Sequence, residues 1–580
     1  MFQSNTKPAY TTTFGLLALL LIPFASLASA QTLSTTDSSQ ELIRQQERER
    51  VLREQQAAVP DVHLQPPVTA QESGYLPTTE NPCFTINAIT LDGDAAEQFQ
   101  WSLVAAHKTL AGLPDNAIGR CIGTEGINQV MRRIQNAIVA RGYVTSRVLA
   151  GAQDLKTGVL KLTLVPGRVG QIRYPDTLET ADWYARPIRE GSLLNLRDVE
   201  QALENLRRVP TVESDIQIAP AADANAKPGE SDILIHWAKP SSYRLNASVD
   251  DAGTQATGKY QSSLTLSLDH WWALSDLFYL TVNKDLGGGE SGDRGTQGYN
   301  VYYSIPFSYW LFAVTTSNNE YHQAVAGAFE TYTYSGESLN TDISVARLMY
   351  RDAVRKTTLT LHGWSRASKN FINDTEVEVQ RRRMAGWDLG VAHHEIMGNS
   401  TLDIALDYRK GSGALESIPA PEEAFGEGTS RPEIISTTVQ LSLPITLSEQ
   451  RFRYSGTLRA QQNNTPLVPQ DRFSIGGRYS VRGFDGETTL LAERGWLIRN
   501  DLAWSILQTG QALYVGVDYG SVSGPSSKQL VGTRLSGAVL GIKGGYKSLS
   551  YDVFVGQPLQ KPERFKTSSQ VTGFTANWAF

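Results

Sequence analysis

From Pro240 to the end, the chain alternates apolar and polar residues and nothing in it reads as helix. Leu264, Leu266 and Leu268 interleave with Thr265 and Ser267; Leu402, Ile404, Leu406 and Tyr408 interleave with Asp403, Ala405, Asp407 and Arg409; Phe452, Tyr454 and Leu458 interleave with Arg453, Thr457 and Arg459. A period of two marks strands with one apolar face. A soluble sandwich alternates as well, so loop lengths must separate the two readings. Strands are expected to start near 243, 259, 276, 296, 310, 338, 355, 385, 399, 434, 451, 494, 511, 534, 547 and 570, which makes sixteen. The gaps between them alternate. One set is long, near 251 to 258, 286 to 295, 321 to 337, 367 to 384, 411 to 433, 462 to 493, 521 to 533 and 557 to 569; the other is short, as at Phe307-Ser308-Tyr309. An even number of strands with long loops on one side and tight turns on the other is the pattern of a transmembrane β-barrel of the outer membrane. The expected fold is therefore a β-dominated membrane protein with a 16-stranded antiparallel barrel over 241–580.

The amino terminus agrees with export. Lys7 precedes an apolar run, Phe14 to Phe24, and Ala28-Ser29-Ala30 follows it, the small-residue pattern of a signal peptide spanning 1–30. The run is about half the roughly 20 residues that a membrane span needs. No later stretch is long and apolar enough for a transmembrane helix, so insertion must be as strands. A net charge of −6 offers no basic field for nucleic acid.

Residues 38–57, SSQELIRQQERERVLREQQA, carry Ser38 and Glu41 at capping-box spacing and are rich in helix formers. Leu42, Ile43, Val51 and Leu52 are the only large apolar residues, so the helix has no face to bury in a core. It is either a solvated linker helix or a removable plug in a water-filled pore, where Glu41, Arg44, Arg48 and Arg53 would meet polar walls. The plug region is taken as 31–57. A linker over 58–81 follows, marked by Pro60, Pro66, Pro67 and Pro77.

Two small α+β units come next, over 82–166 and 167–240. In the first, strand patterns at 84–91, 143–149 and 158–165 flank helical spacing at 95–110 and 123–141; in the second, a strand at 169–174 precedes a helix at 195–209 and strands at 216–219 and 232–237. Sheets this small leave edges that can template an extended peptide, unless the units are mere spacers. Cys83 and Cys121, the only two cysteines of an exported chain, are expected to form one disulfide.

The segment DRFSIGGRYSVRGFDGE, Asp471 to Glu487, is the longest interruption of the barrel pattern. Ser480-Val481-Arg482-Gly483-Phe484 is expected to fold back into the barrel interior, with Arg482 held by a buried carboxylate on a neighbouring strand; an ordinary solvated loop arginine is the plainer alternative. In Gln511 to Gly520, Leu513, Val515, Val517 and Tyr519 form the apolar set that must face lipid, which turns Asp518 into the lumen.

Together these residues resemble the TpsB transporters of two-partner secretion, a branch of the Omp85 superfamily that includes haemolysin and haemagglutinin exporters and CdiB proteins. The resemblance rests on the Gln/Arg-rich helix, Cys83-Phe84, Gly142 to Val148, Gln153-Asp154-Leu155 with Gly158, the helix Asn195 to Pro210, Val481 to Phe484 and the terminal Phe580. It implies that the two α+β units are periplasmic POTRA domains, that the sixth long loop enters the barrel, and that its arginine, Arg482, beside Gly483 and Phe484, meets Asp518 on the thirteenth strand. It also implies that Trp578 and Phe580 form the signal read by the barrel assembly machinery.

No phosphate-binding loop and no nucleophile elbow is present, and His394-Glu395 lacks the second histidine of a zinc-peptidase helix. The sequence therefore points away from an enzyme, from cofactors and from a metal site. The expected function is an outer-membrane pore that recognises an unfolded exoprotein in the periplasm, a TpsA-like partner such as a contact-dependent toxin, haemolysin or adhesin, and passes it to the surface without ATP. The alternative is an insertase that folds other barrels into outer-membrane lipid; a passive porin leaves the periplasmic units unexplained.

Overall fold

The computed structural model describes residues 35–56, 61–64, 74–109, 111–176, 183–507 and 509–580. The expected signal peptide lies outside them. Sixteen antiparallel strands close into a barrel, from Tyr243–Asp250 to Val571–Ala579, and the last strand pairs with the first through Thr575↔Asp250 to Ala579↔Asn246. Closure leaves no strand edge in the lipid. Alternation is kept throughout: along the thirteenth strand, Gln511–Ser523, Leu513, Val515 and Val517 are exposed on the outer surface, while Tyr514, Gly516, Asp518, Gly520 and Val522 are buried inside. On the short-turn side, Ser448 and Glu449 both take positive φ, the conformation that lets a two-residue turn follow the strand twist.

The main departure from the sequence reading concerns the third long gap. The fifth strand, Trp310–Ala326, and the sixth, Thr331–Arg351, extend far beyond the expected limits, and the gap at 321–337 shrinks to four residues. Residues such as Glu320, His322 and Thr333 put polar groups on the outer face there. Above the lipid the outer face meets water while Tyr321, Val325 and Tyr334 cluster on the inner face, so backbone pairing continues where the outward apolar signal has stopped.

The two α+β units share one layout. In the first, Ala88–Gly93 pairs in parallel with Val159–Val165, which pairs antiparallel with Arg147–Leu149. Helix α2, Thr124–Ala140, which follows the amino-terminal helix α1, Thr35–Gln56, buries Val130, Ile134 and Ile138 against this sheet. Both carboxylate oxygens of Glu80 accept from amides of its first turn, Gly123 at 2.7 Å and Glu125 at 2.9 Å, in place of a local cap. The segment 96–107 winds as a 3-10 helix rather than the expected α-helix. Its buried residues Ala96, Phe99 and Ser102 recur every third position, which aligns them in one row at three residues per turn. Cys83 and Cys121 are bonded as expected and join two short strands, Phe84–Thr85 and Cys121–Ile122. In the second unit, Arg168–Arg173, Glu230–Ala238 and Glu213–Pro220 form the sheet under helix α3, Leu196–Arg207, whose Leu196, Val199, Leu203 and Leu206 are buried. The polar side of α3 faces the barrel rim. Glu200 and Glu204 bind Arg351 at 2.9 Å each, Asp198 accepts from Tyr309, and Arg208 donates to Ser304 Oγ at 2.8 Å.

Candidate functional site

The barrel lumen holds two separate fillings. The first is the loop between the eleventh strand, Gln450–Asn463, and the twelfth, Arg494–Ile506. It enters the barrel as a small hairpin, Phe473–Ile475 paired with Leu490–Ala492, and turns at a tip that carries Arg482. An apolar cluster forms inside the barrel where Phe473, Ile475, Val481, Phe484 and Leu490 meet wall residues Leu497, Val522 and Leu535. Phe484 packs edge-on against Phe565 from the eighth long loop, with ring centroids 5.7 Å apart.

Arg482 is 5% exposed and Asp518 1%. The guanidinium takes Asp518 as a fork, Nε to Oδ2 at 2.7 Å and Nη2 to Oδ1 at 2.8 Å, and the Arg482 amide donates to the same Oδ2 at 3.0 Å. A second carboxylate completes the cage: Asp501 on the twelfth strand accepts from Nη2 at 2.6 Å and from Nη1 at 3.3 Å. Arg499, on the same inner face as Asp501, reaches to 3.9 Å from Asp518. Two cations thus face two carboxylates, so the desolvated cluster is neutral.

The wall is shaped to receive this tip. Gly483 has φ of +95°, and a Cβ there would lie 2.5 Å from the carbonyl oxygen of Gln557. Across the contact, a Cβ on Gly537 would lie 1.9 Å from the Arg482 carbonyl, and one on Gly516 would lie 2.4 Å from Asp501 Oδ1. Three neighbouring strands thus expose bare backbone under the loop tip. The expected pairing of Arg482 with Asp518 is present. Asp501 and the glycine seat were not foreseen, although Trp496, Ile498, Leu502 and Trp504 alternate so as to turn Arg499 and Asp501 inward.

Helix α1 is the second filling. Its contacts reach around the lumen: Glu47 to Arg459 at 2.6 Å, Glu49 to Asn319 at 2.7 Å, Arg48 to Gln261 at 3.0 Å and Gln56 to Asn246 at 3.4 Å. Glu41 accepts from Thr257 at 3.3 Å, and Arg44 donates to the Gly486 carbonyl of the loop tip at 2.6 Å. Of the residues singled out in the sequence, Glu41, Arg44 and Arg48 meet the wall or the loop, whereas Arg53 lines the remaining cavity of about 650 Å3 together with Arg409, Asp388 and Arg478. Glu47 and Glu49 are further wall contacts. A helix polar on nearly every side fits here because the wall groups that bind it are polar.

Known proteins share this domain order and fold. Residues 229–544 match the family of haemolysin secretion/activation proteins ShlB/FhaC/HecB, and 84–167 and 168–220 match POTRA domains, the first of ShlB type. The chain belongs to this family. It is an outer-membrane transporter of two-partner secretion, with its POTRA domains in the periplasm. Outer membrane transporter CdiB-2 of Burkholderia pseudomallei is 36% identical over 510 residues, 86% of each chain, and outer membrane transporter CdiB of Dickeya dadantii is 26% identical over the whole of both. Among solved structures, CdiB from Acinetobacter baumannii superposes with a TM-score of 0.82 at 28% identity and covers 95% of this chain and all of its own. Membership in a secretion family removes the insertase alternative.

Proposed function

We propose that this transporter exports a large exoprotein of the TpsA kind, and that the POTRA units, taken as 82–166 and 167–240, dock its amino-terminal domain on their sheet edges. The cargo then enters as an extended hairpin after α1 has left the lumen, and folding outside prevents its return. Arg482, Gly483, Phe484 and Asp518 act as a lock that keeps the loop seated while cargo passes, and Trp578 with Phe580 serves as the signal for the assembly machinery. These two rings stack at 5.4 Å and are exposed on the closing strand. No ATP is consumed, a reading supported by relatives that are outer-membrane and haemolysin transporters.

The observation that carries the reading is the way α1 is held. Its contacts with the wall are hydrogen bonds and ion pairs, which water can replace one by one, and among the described residues none of its side chains joins an apolar cluster of the barrel. A reversible tether tests it. Glu47→Cys combined with Arg459→Cys, bridged by a reducible bis-thiosulfonate cross-linker whose spacer replaces the reach of the two lost side chains, ties helix to wall; export of the partner exoprotein should stop and should resume on mild reduction, with wild type carried through the same cycle as control. Undiminished export by the tethered protein overturns the proposal.

A further inference from the structure

His394, which has no metal partner at peptidase spacing in the sequence, meets one from the far end of the chain. The linker segment 61–64 lies on the periplasmic rim of the barrel, against α3 and the eighth strand, Arg382–Met397. Its backbone is held by Glu204, which accepts from Val62 N at 3.1 Å, and by Glu200, which accepts from Leu64 N at 2.8 Å. Asp61 and His63 thereby come beside His394, with one ligand atom from each within 4.8 Å of the others.

The hydrogen bonds around the two imidazoles constrain their protons. His63 Nδ1 lies 3.1 Å from the Ala353 carbonyl oxygen, which can only accept, so Nδ1 carries a proton. His394 Nδ1 lies 2.6 Å from Asp403 Oδ1, which assigns its proton likewise. In the neutral ring each Nε2 is then a lone pair. His63 Nε2 is 2.7 Å from Asp61 Oδ1, whereas His394 Nε2 is buried without a hydrogen-bond partner, 3.1 Å from Asp61 Oδ2. Two lone pairs beside a carboxylate repel it unless positive charge, a proton or a metal ion, lies between them. A backbone carbonyl behind one ring and a carboxylate behind the other is the supporting arrangement that fixes histidines bound to a metal through Nε2.

We propose that Asp61, His63 and His394 bind a divalent transition-metal ion, with zinc the best match to two imidazoles and a carboxylate. Asp61 is exposed, which leaves the fourth position open to water. Lys356 Nζ, 3.6 Å from Asp61 Oδ1, is also held by Glu204 Oε1 at 3.2 Å, so it can withdraw toward that carboxylate when the ion enters.

The site clasps the linker to the barrel. From Gln56 to Asp61 the chain can span at most about 18 Å, whereas the 22 residues of α1 extend about 33 Å. While the clasp is closed, the helix cannot withdraw completely toward the periplasm, so the ion should hold the pore in its plugged state. This consequence rests on the plug reading above; metal binding itself does not.

The test uses the full mature chain in detergent, purified without a polyhistidine tag, stripped with chelator and titrated with zinc against a chromophoric competitor. One zinc per chain is expected. His63→Gln and His394→Ala should each lose at least 100-fold in affinity, and Asp403→Asn, which touches no metal, 10- to 100-fold. Retained heat-modifiable migration on gels will show that the barrels are folded. Failure of the wild type to bind one equivalent, or variants that bind as wild type does, overturns the site; binding by doubly protonated rings alone would appear as no zinc uptake at neutral pH. In planar bilayers, zinc should reduce openings to the high-conductance state several-fold and chelator should restore them, with His394→Ala insensitive to both. Equal responses of wild type and variant overturn the clasp, and an α1 deletion that leaves conductance unchanged overturns the plug reading instead.

Discussion

The two fillings of the lumen differ in how they are attached. The inward loop carries its own apolar cluster, a seat of bare glycine backbone and a buried arginine caged by two carboxylates. Helix α1 has separate polar contacts, spread over strands one, two, five and eleven and the loop tip. An apolar contact inside a barrel must be torn open before water can enter, while a polar contact on a wet wall exchanges with water at little net cost, about 1 kcal/mol each. That difference in attachment is what the proposed function requires of a loop that stays and a helix that leaves.

The largest test of that contrast is Arg482→Ala, which leaves two carboxylates in the barrel interior facing Arg499 alone. Removing one partner of a buried ion pair costs roughly 3–5 kcal/mol. The loop should come free and export should stop, while heat-modifiable migration still reports a folded barrel. Asp518→Ala should do less, because Asp501 still binds the guanidinium, and the double variant should be little worse than Arg482→Ala alone. The measurement is secreted cargo per barrel across the cycle; losses that simply multiply would deny that the two residues act as a pair.

A smaller loss is expected from Gly483→Ala. It places a Cβ against the Gln557 carbonyl in a backbone region that costs a non-glycine residue about 1–2 kcal/mol, and more if strand fifteen must shift. Partial export with increased protease cleavage of the loop is the expected result, and full protection would mean that the wall yields. Smaller still is Arg459→Ala, which removes one α1 contact worth about 0.5–1.5 kcal/mol. It should raise the frequency of large openings in planar bilayers modestly, whereas deletion of 35–56 should leave the channel open throughout. A closed channel after that deletion would mean that the loop alone seals the pore.

The smallest effect near neutral pH belongs to a buried pair outside the membrane. Asp115 in the first POTRA unit is bound by Arg133 and by the Leu76 amide. Burial pushes its carboxyl up, but the hydrogen bonds and charges of Arg133, Leu76 and Arg120 outweigh burial and hold it below the usual range. A depressed carboxyl stabilises the fold fully above its unfolded value of about 3.9 and loses that contribution as pH falls through the folded value. Thermal unfolding of the full chain should thus show no contribution from Asp115 to pH dependence between pH 5 and 8. Below about pH 4, wild type should lose more stability than Asp115→Asn. Parallel curves for the two would refute the assignment.

Much of this was legible in the sequence because it is local. Alternation over a few residues reports which face of a strand meets lipid, and that alone yielded sixteen strands, the inward turn of Asp518 and a helix with no apolar face. The strands beyond the membrane around 321–337 escaped for the same reason, since water on the outer side removes the outward apolar residues by which a lipid-facing strand is read, and the apolar residues there, Tyr321, Val325 and Tyr334, turn inward. Arg499 and Asp501 were legible in principle, from the outward tryptophans beside them.

Other features had no spacing to betray them. Gly516, Gly537 and Gly556, where a Cβ would lie 3.0 Å from the Gly483 Cα, form one seat only because three strands pair in a particular register, and a one-residue slip would turn each to the lipid. Asp61, His63 and His394 come together only because a linker crosses the barrel rim. Sequence alone determined the repeat, the strand count and the polarity of each face, which follow from interactions between residues and their immediate solvent. Tertiary structure decided which charges meet and which backbone lies bare beneath them, because those depend on chain closure over hundreds of residues.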